Sequence, residues 1–310
     1  MRLRILLLAF VMPAISMAQT GSTQSVLIFV SDTQSPLPFE RLYPNYSDNE
    51  RATQMILADI LDEKNVEAVI HAGDITGYGS SRKQWLPVLP FLDTLHSRRI
   101  PFVSAKGNHD YYFLPSEAMK FFKKYVPESS SDYSMHQFGP VAIVILNSNF
   151  DRLKKSEIAA EESWYSYALK TCESDTAIRF VISVDHHPPH TNSAAVSGSN
   201  DVRKYFLPAF FSSRKSVLFV SGHAHRFEHF QLNGKDFLVI GGGGGVFQDE
   251  RSKPVEKDLY TGSDQGKFFH YVRCITSSDS LIFQVIRVIP KSGLTESAYT
   301  FTLRNQEGSN

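Results

Sequence analysis

Five short runs of the chain concentrate side chains that bind metals or move protons. They are Ser31-Asp32-Thr33-Gln34, His71-Ala72-Gly73-Asp74, Gly107-Asn108-His109-Asp110, Asp185-His186-His187-Pro188 and Gly222-His223-Ala224-His225. Carboxylate, amide oxygen and imidazole together suit Mn, Fe or Zn. The His223-x-His225 pair projects both imidazoles to one side of an extended chain. An Asp or a Gly-Asp pair alone is an ordinary turn feature. Five such runs in one chain call for a common explanation.

Each run follows a stretch that reads as a strand. Residues 25–30, 66–70, 100–105, 178–184 and 216–221 are short apolar runs, as expected of strands buried on both faces. Residues 141–146 and 237–240 predict two more strands. Residues 268–275 and 281–288 predict a hairpin across the polar turn 276–280. Apolar residues at helical spacing predict helices over 49–64, 116–125 and 161–170, the first capped by Asp48 or Asn49. Residues 80–98 are helix-like but interrupted by Pro87 and Pro90. Strands alternating with helices predict a layered α/β fold, and the C-terminal strand pairs predict a mixed sheet system. With no long linker and no internal repeat, residues 24–304 form one expected domain, followed by a polar tail at 305–310. Ligands of open α/β folds sit beyond the carboxyl ends of strands, so five loops at that edge can share one site.

The series Asp32-x-Gln34, Gly73-Asp74, Gly107-Asn108-His109-Asp110, His186 and Gly222-His223-x-His225 resembles the calcineurin-like metallophosphoesterase family over nearly the whole expected domain. The resemblance implies a β-sandwich of two mixed sheets flanked by helices, with two divalent ions at the strand ends. It implies that Asp74 bridges them, that Asp32, Gln34 and His225 hold the first, and that Asn108, His186 and His223 hold the second. Two carboxylates against two divalent ions leave a net positive site suited to a phosphate ester. A bridging hydroxide would attack phosphorus in line, and His109 would protonate the leaving oxygen. His186 rather than His187 is the expected ligand because it stands in a His-x-Pro pattern after a strand.

The chain departs from the family pattern in three places. Gln34 replaces the usual His of Asp-x-His, which makes the first site mostly oxygen and leans it toward Mn, Mg or Fe. Gly77 stands where purple acid phosphatases have a Tyr, which disfavours a purple iron centre. Serine/threonine phosphatases have at that same place an Asp that orients the catalytic His, so His109 lacks that partner here. Tyr111, Tyr112, His187 and His190 follow the motifs and are candidates for contacting the leaving group. The run Gly241 to Gly245 is read as a tight loop allowing close backbone approach near the metal edge.

The 310 residues are 42 % apolar and 21 % charged, which excludes disorder and a multi-span membrane protein. Lys plus Arg is 32 and Asp plus Glu is 32, so no basic excess signals nucleic acid. Residues 1–18 read as a Sec-type signal peptide: Arg2 and Arg4, an apolar run too short to span a membrane, and Ser16-Met17-Ala18 as cleavage site. Secretion or periplasmic export is the expected destination, with no membrane span after cleavage. Cys172 and Cys274 are expected to be buried free thiols, because a chain this long needs no staple. The leading function is an exported metal-dependent phosphoesterase. The alternatives are a phosphodiesterase or nuclease of the same family, and a secreted metal-binding protein without catalysis.

Overall fold

The structure, a computed structural model, describes residues 24–305. The predicted signal peptide and all but the first residue of the polar tail lie outside the described residues. Along the chain the strands are β1 (Ser25–Val30), β2 (Val66–His71), β3 (Phe102–Ser104), β4 (Ser134–Phe138), β5 (Val141–Ile145), β6 (Phe180–Val184), β7 (Ser216–Ser221), β8 (Phe227–Leu232), β9 (Lys235–Ile240), β10 (Phe269–Thr276), β11 (Ser280–Ile289) and β12 (Leu294–Arg304). The helices are α1 (Asn49–Asp62), α2 (Arg82–Trp85), α3 (Leu89–Ser97), α4 (Pro115–Tyr125), α5 (Lys155–Ser174), α6 (Asn200–Tyr205) and α7 (Leu207–Ser212).

The strands form two six-stranded mixed sheets. The first has the order β12-β11-β10-β1-β2-β3 and the second β4-β5-β6-β7-β9-β8. β1, β2 and β3 are parallel, as are β5, β6, β7 and β9, so their carboxyl ends collect at one edge of each sheet. Residue alternation assigns the faces. Leu27 and Phe29 of β1 pack with Ile143, Ile182 and Val220 in the core between the sheets. Val26, Ile28 and Val30 turn the other way, against Ile56 and Ile60 of α1 and Leu92 of α3. On the second sheet Ala142 and Val144 face Tyr165 and Leu169 of α5 and Phe210 of α7. The result is the layered α/β arrangement expected from the strand and helix pattern, in the form of the two-sheet sandwich that the resemblance implied, helices outside and two sheets within.

Several elements differ from the sequence expectation. β4, β8 and β12 were not foreseen; all three are edge strands, in which polar side chains break the apolar run. The helix-like stretch 80–98 divides into α2 and α3, with Pro90 in the first turn of α3. α5 extends well beyond the expected 161–170, and α6 and α7 are short helices where none was read; Ser199 Oγ caps α6 by accepting from Val202 N at 3.2 Å. Asp48 stands at the start of α1 but makes no side-chain cap.

Both described ends lie at the edge opposite the carboxyl ends of β1 to β3. Ser25 opens β1 opposite Thr276, and Arg304 closes β12 opposite Ser280. Cys172 and Cys274 are free and buried, one on the inner face of α5 and the other between the sheets.

Candidate metal centre

All seven predicted ligands and His109 come together at the shared strand edge. Asp32 follows β1 and Asp74 follows β2; both hold positive φ, 56° and 60°, which turns the carboxylates back across the edge. Asp32 accepts from His223 N at 3.0 and 3.1 Å and lies 3.4 Å from His225 Nε2. Asp74 Oδ1 accepts from His109 N at 2.8 Å, and its Oδ2 lies 3.3 Å from His186 Nε2. That Oδ2 is buried with no hydrogen-bond partner, a vacancy in polar satisfaction that a cation would fill.

Gln34, after β1, satisfies its amide when the nitrogen donates to the carbonyls of Asp32 at 3.0 Å and Asp74 at 3.1 Å. Its oxygen then faces His225 Nε2 at 3.3 Å. An amide so fixed presents oxygen, not nitrogen, to the site. On the other side of Asp74, Asn108 Oδ1 lies 3.0 Å from His186 Nε2. The rings of His186 and His223 are 5.0 Å apart. Donor atoms of Asp32, Asp74 and His186 lie within 4.8 Å of one another, as do those of His186, His187 and His223. This donor set fits divalent ions on either side of Asp74.

Backbone carbonyls orient the imidazoles. His186 Nδ1 contacts Ala72 O at 2.9 Å, and His225 Nδ1 contacts Val246 O at 2.9 Å. Each leaves Nε2 facing the site, the arrangement usual for ligating histidines. The glycine run presses on the same ring: a Cβ on Gly245 would lie 2.4 Å from His225. α1 holds that run, with Asn49 Nδ2 donating to the carbonyls of Gly244 and Gly245, both at 2.9 Å, and Thr53 Oγ1 donating to that of Gly243 at 2.9 Å. This is the close backbone approach read from the sequence.

Burial and mutual charge set the protonation. Burial opposes ionisation of Asp74, yet His186 and His109 hold its carboxyl well below the ordinary range. Asp32 is likewise opposed by burial and held low by its bond from His225 and the fields of His186 and His225. His186 is pulled down by burial but raised to about 10 by Asp74. Burial, then the neighbouring His186, pushes His223 down to about 3. The uncharged imidazole is the form that binds metal.

His109 lies in a single 3₁₀ turn, His109–Tyr111. Its Nδ1 contacts the Gly77 carbonyl at 3.0 Å, so a backbone group orients it in place of the Asp of serine/threonine phosphatases. Its ring packs on Tyr112 at 4.3 Å, and the Tyr112 hydroxyl accepts from Asn108 Nδ2 at 3.1 Å. His187 enters the site, its ring 4.5 Å from that of His223 and its Nδ1 2.9 Å from Ser148 Oγ. The other two leaving-group candidates are engaged elsewhere. Tyr111 is buried with its hydroxyl accepting from Asn147 Nδ2, and His190 pairs with Glu256 at 3.2 Å.

Sequence reading gave Asp110 no role, yet it braces the site. Its carboxyl accepts from the backbone N–H of Asp74 and Gly107, both at 2.9 Å, and of Ile75 at 3.1 Å. Burial and the field of Asp74 push it up to about 7. Its place at the end of Gly-Asn-His-Asp was the available signal. Ser148, which accepts from the backbone N–H of both His186 and His187, had none.

The calcineurin-like phosphoesterase family profile matches residues 26–227. The chain belongs to this family of metal-dependent hydrolases of phosphoester bonds, whose centre holds two divalent ions. Among solved structures it is similar to GAP50, described as the anchor in the inner membrane complex of Plasmodium. There the TM-score is 0.68 at 16 % identity, covering 92 % of this chain and 90 % of that one. Similarity to the purple acid phosphatase PPD1 of yellow lupin gives 0.62 at 16 % identity, with 91 % of this chain spanning 54 % of that one. A dimetal phosphatase from Danio rerio gives 0.62 at 14 % identity, covering 91 % and 99 %. At these identities the likeness concerns the fold. No curated protein matches the chain. Among the described residues, no helix is long and apolar enough to cross a membrane.

Proposed function

We propose that the protein is an exported phosphoesterase in which His109 protonates the leaving oxygen. Asp32, Gln34, Asp74 and His225 would hold one divalent ion, and Asp74, Asn108, His186 and His223 the other. The observation that carries this reading is the fixing of His109. Its backbone N–H is bonded to Asp74 and its Nδ1 to the Gly77 carbonyl, which leaves Nε2 to hold and release a proton beside the donor cluster. When bound, the two ions supply positive charge for the phosphoryl oxygens and lower the pKa of a nucleophilic water. The chain's own part is to set the spacing: Asp74 ties both halves, Asp110 holds the Asp74 backbone, and Tyr112 confines the His109 ring.

Export rests on residues 1–18, with their basic start, short apolar run and small residues at Ser16 and Ala18. Fold alone does not decide activity, so the reading rests on the site. An oriented His109 beside a full donor set favours turnover over simple metal binding. The test is hydrolysis of an activated phosphomonoester and the matching diester, each with Mn, Fe or Zn and with chelator. Chelator-sensitive turnover is expected. Absence of turnover on both esters with every metal would overturn the reading.

A further inference from the structure

The segment that follows His109 carries an aromatic residue in a strained backbone conformation. Phe113 has φ of +72°, the left-handed region in which the Cβ of an L-residue crowds its own carbonyl and which bulky residues rarely occupy. The residue is 74 % exposed. Its ring contact is with Tyr78, edge to face at 4.7 Å.

The surroundings hold this conformation from both sides. Gly79 N donates to the His109 carbonyl at 3.1 Å, and Ser80 Oγ donates to the Tyr112 carbonyl at 3.0 Å. A Cβ on Gly79 would lie 1.9 Å from the Asp110 carbonyl oxygen, so the two loops are pressed together. Strain that neighbouring structure enforces, at a residue beside a reacting group, is the pattern of a functional position. Tyr78 adjoins Gly77, which orients His109, and Phe113 adjoins Tyr112, which packs on the His109 ring.

The geometry points to Phe113 and Tyr78 as a stacking platform for the leaving group, and so to phosphate esters whose alcohol carries a flat aromatic ring, aryl or nucleoside. The inference rests on the phosphoesterase reading, because it places the leaving group on the side of the proton donor. Phe113 keeps most of its surface exposed beside Tyr78, and a ring stacked there gains contact without ordering a flexible chain.

The test compares wild type with Phe113→Gly and Phe113→Leu on phenyl phosphate, adenosine 5′-monophosphate and glycerol phosphate. Phe113→Gly should lower kcat/KM roughly tenfold on the ring-bearing esters, mainly through KM, the scale of one aromatic stack. Glycerol phosphate should stay within about twofold. Its Tm should hold or rise, because glycine accepts positive φ. Phe113→Leu should lose the same selectivity while keeping the strain. A loss confined to the nucleotide would name nucleosides as the source of the ring, and a loss on both ring esters would name flat rings generally. Equal losses on all three esters, or a lowered Tm for Phe113→Gly, would overturn the platform. A second arm measures binding of phenol and adenosine alone by NMR saturation transfer. If no ester is turned over, the phosphoesterase reading fails, and this arm decides the platform: binding weakened in Phe113→Gly supports it, and unaltered binding overturns it.

Discussion

The two sheets bring different chemistry to the shared edge. The loops after β1, β2 and β3 of the first sheet present oxygen donors: Asp32, Gln34, Asp74 and Asn108. The loops after β6 and β7 of the second present imidazoles: His186, His223 and His225. Neither sheet holds the whole proposed set, so on that assignment the centre exists only once the sandwich has closed. Metal affinity is then tied to folding of the whole domain. Gln34 makes the division complete, since the His usual at that position would put a nitrogen on the oxygen side.

Asp74 is the seam between the halves, and its loss should have the largest effect. Asp74→Asn keeps the shape but removes the charge that faces both halves. Activity should fall to background and metal content per chain should drop, checked by elemental analysis alongside the ester assay. Retention of two ions would mean that the halves do not depend on their shared carboxylate.

His109 stands on the oxygen side as the proposed proton donor. His109→Ala should reduce turnover by roughly 10²–10⁴-fold with metal content nearly unchanged. The loss should be smaller for nitrophenolate, which leaves without a proton. Equal losses for good and poor leaving groups would move His109 from proton transfer to positioning.

Gln34 tests the division itself. Gln34→Ala should empty the Asp32/His225 side and leave the His186/His223 side loaded. Gln34→His should tighten the first site, most clearly for Zn, by about 10–100-fold, the scale on which changes at a metal site move affinity. Metal titration of the three proteins reads both. Two ions bound with unaltered affinity in Gln34→Ala would remove Gln34 from the ligand set.

The smallest effect is expected from the imidazole side. Gly245→Ala would drive a methyl group into the His225 ring. A cost of about 1–3 kcal/mol in stability is expected from overpacking, with weaker retention of the first metal. Thermal unfolding in the presence and absence of metal would measure both. A variant as stable as the parent would show that the glycine loop yields, and that His225 does not depend on its pressure.

The candidate donors were legible because each follows a strand buried on both faces, where an apolar run ends abruptly in polar chemistry. The edge strands were not. β4 reads Ser-Met-His-Gln-Phe and β8 reads Phe-Glu-His-Phe-Gln-Leu. In β8 the polar residues serve buried bonds, His229 to Asp236 at 2.8 Å and Glu228 to the Asn192 N–H at 2.8 Å, so burial there left no hydrophobic signature. The partners that orient the imidazoles were invisible for another reason. Ala72, Gly77 and Val246 act through their carbonyls, which every residue possesses. Tyr111 and His190 looked like site residues because they trail the motifs, but the chain turns each toward a partner of its own, Asn147 and Glu256.

Ser25 and Arg304 sit at the edge remote from the metal centre. A resin, a carrier domain or a sensor surface attached at either position would hold the protein by its back, with the loops that carry Asp32, Asp74 and Asn108 directed outward. Immobilised protein should therefore keep its mouth open to solution regardless of which of the two positions is used for attachment, and insertions between β8 and β9, at Asn233-Gly234, would leave through that same remote edge.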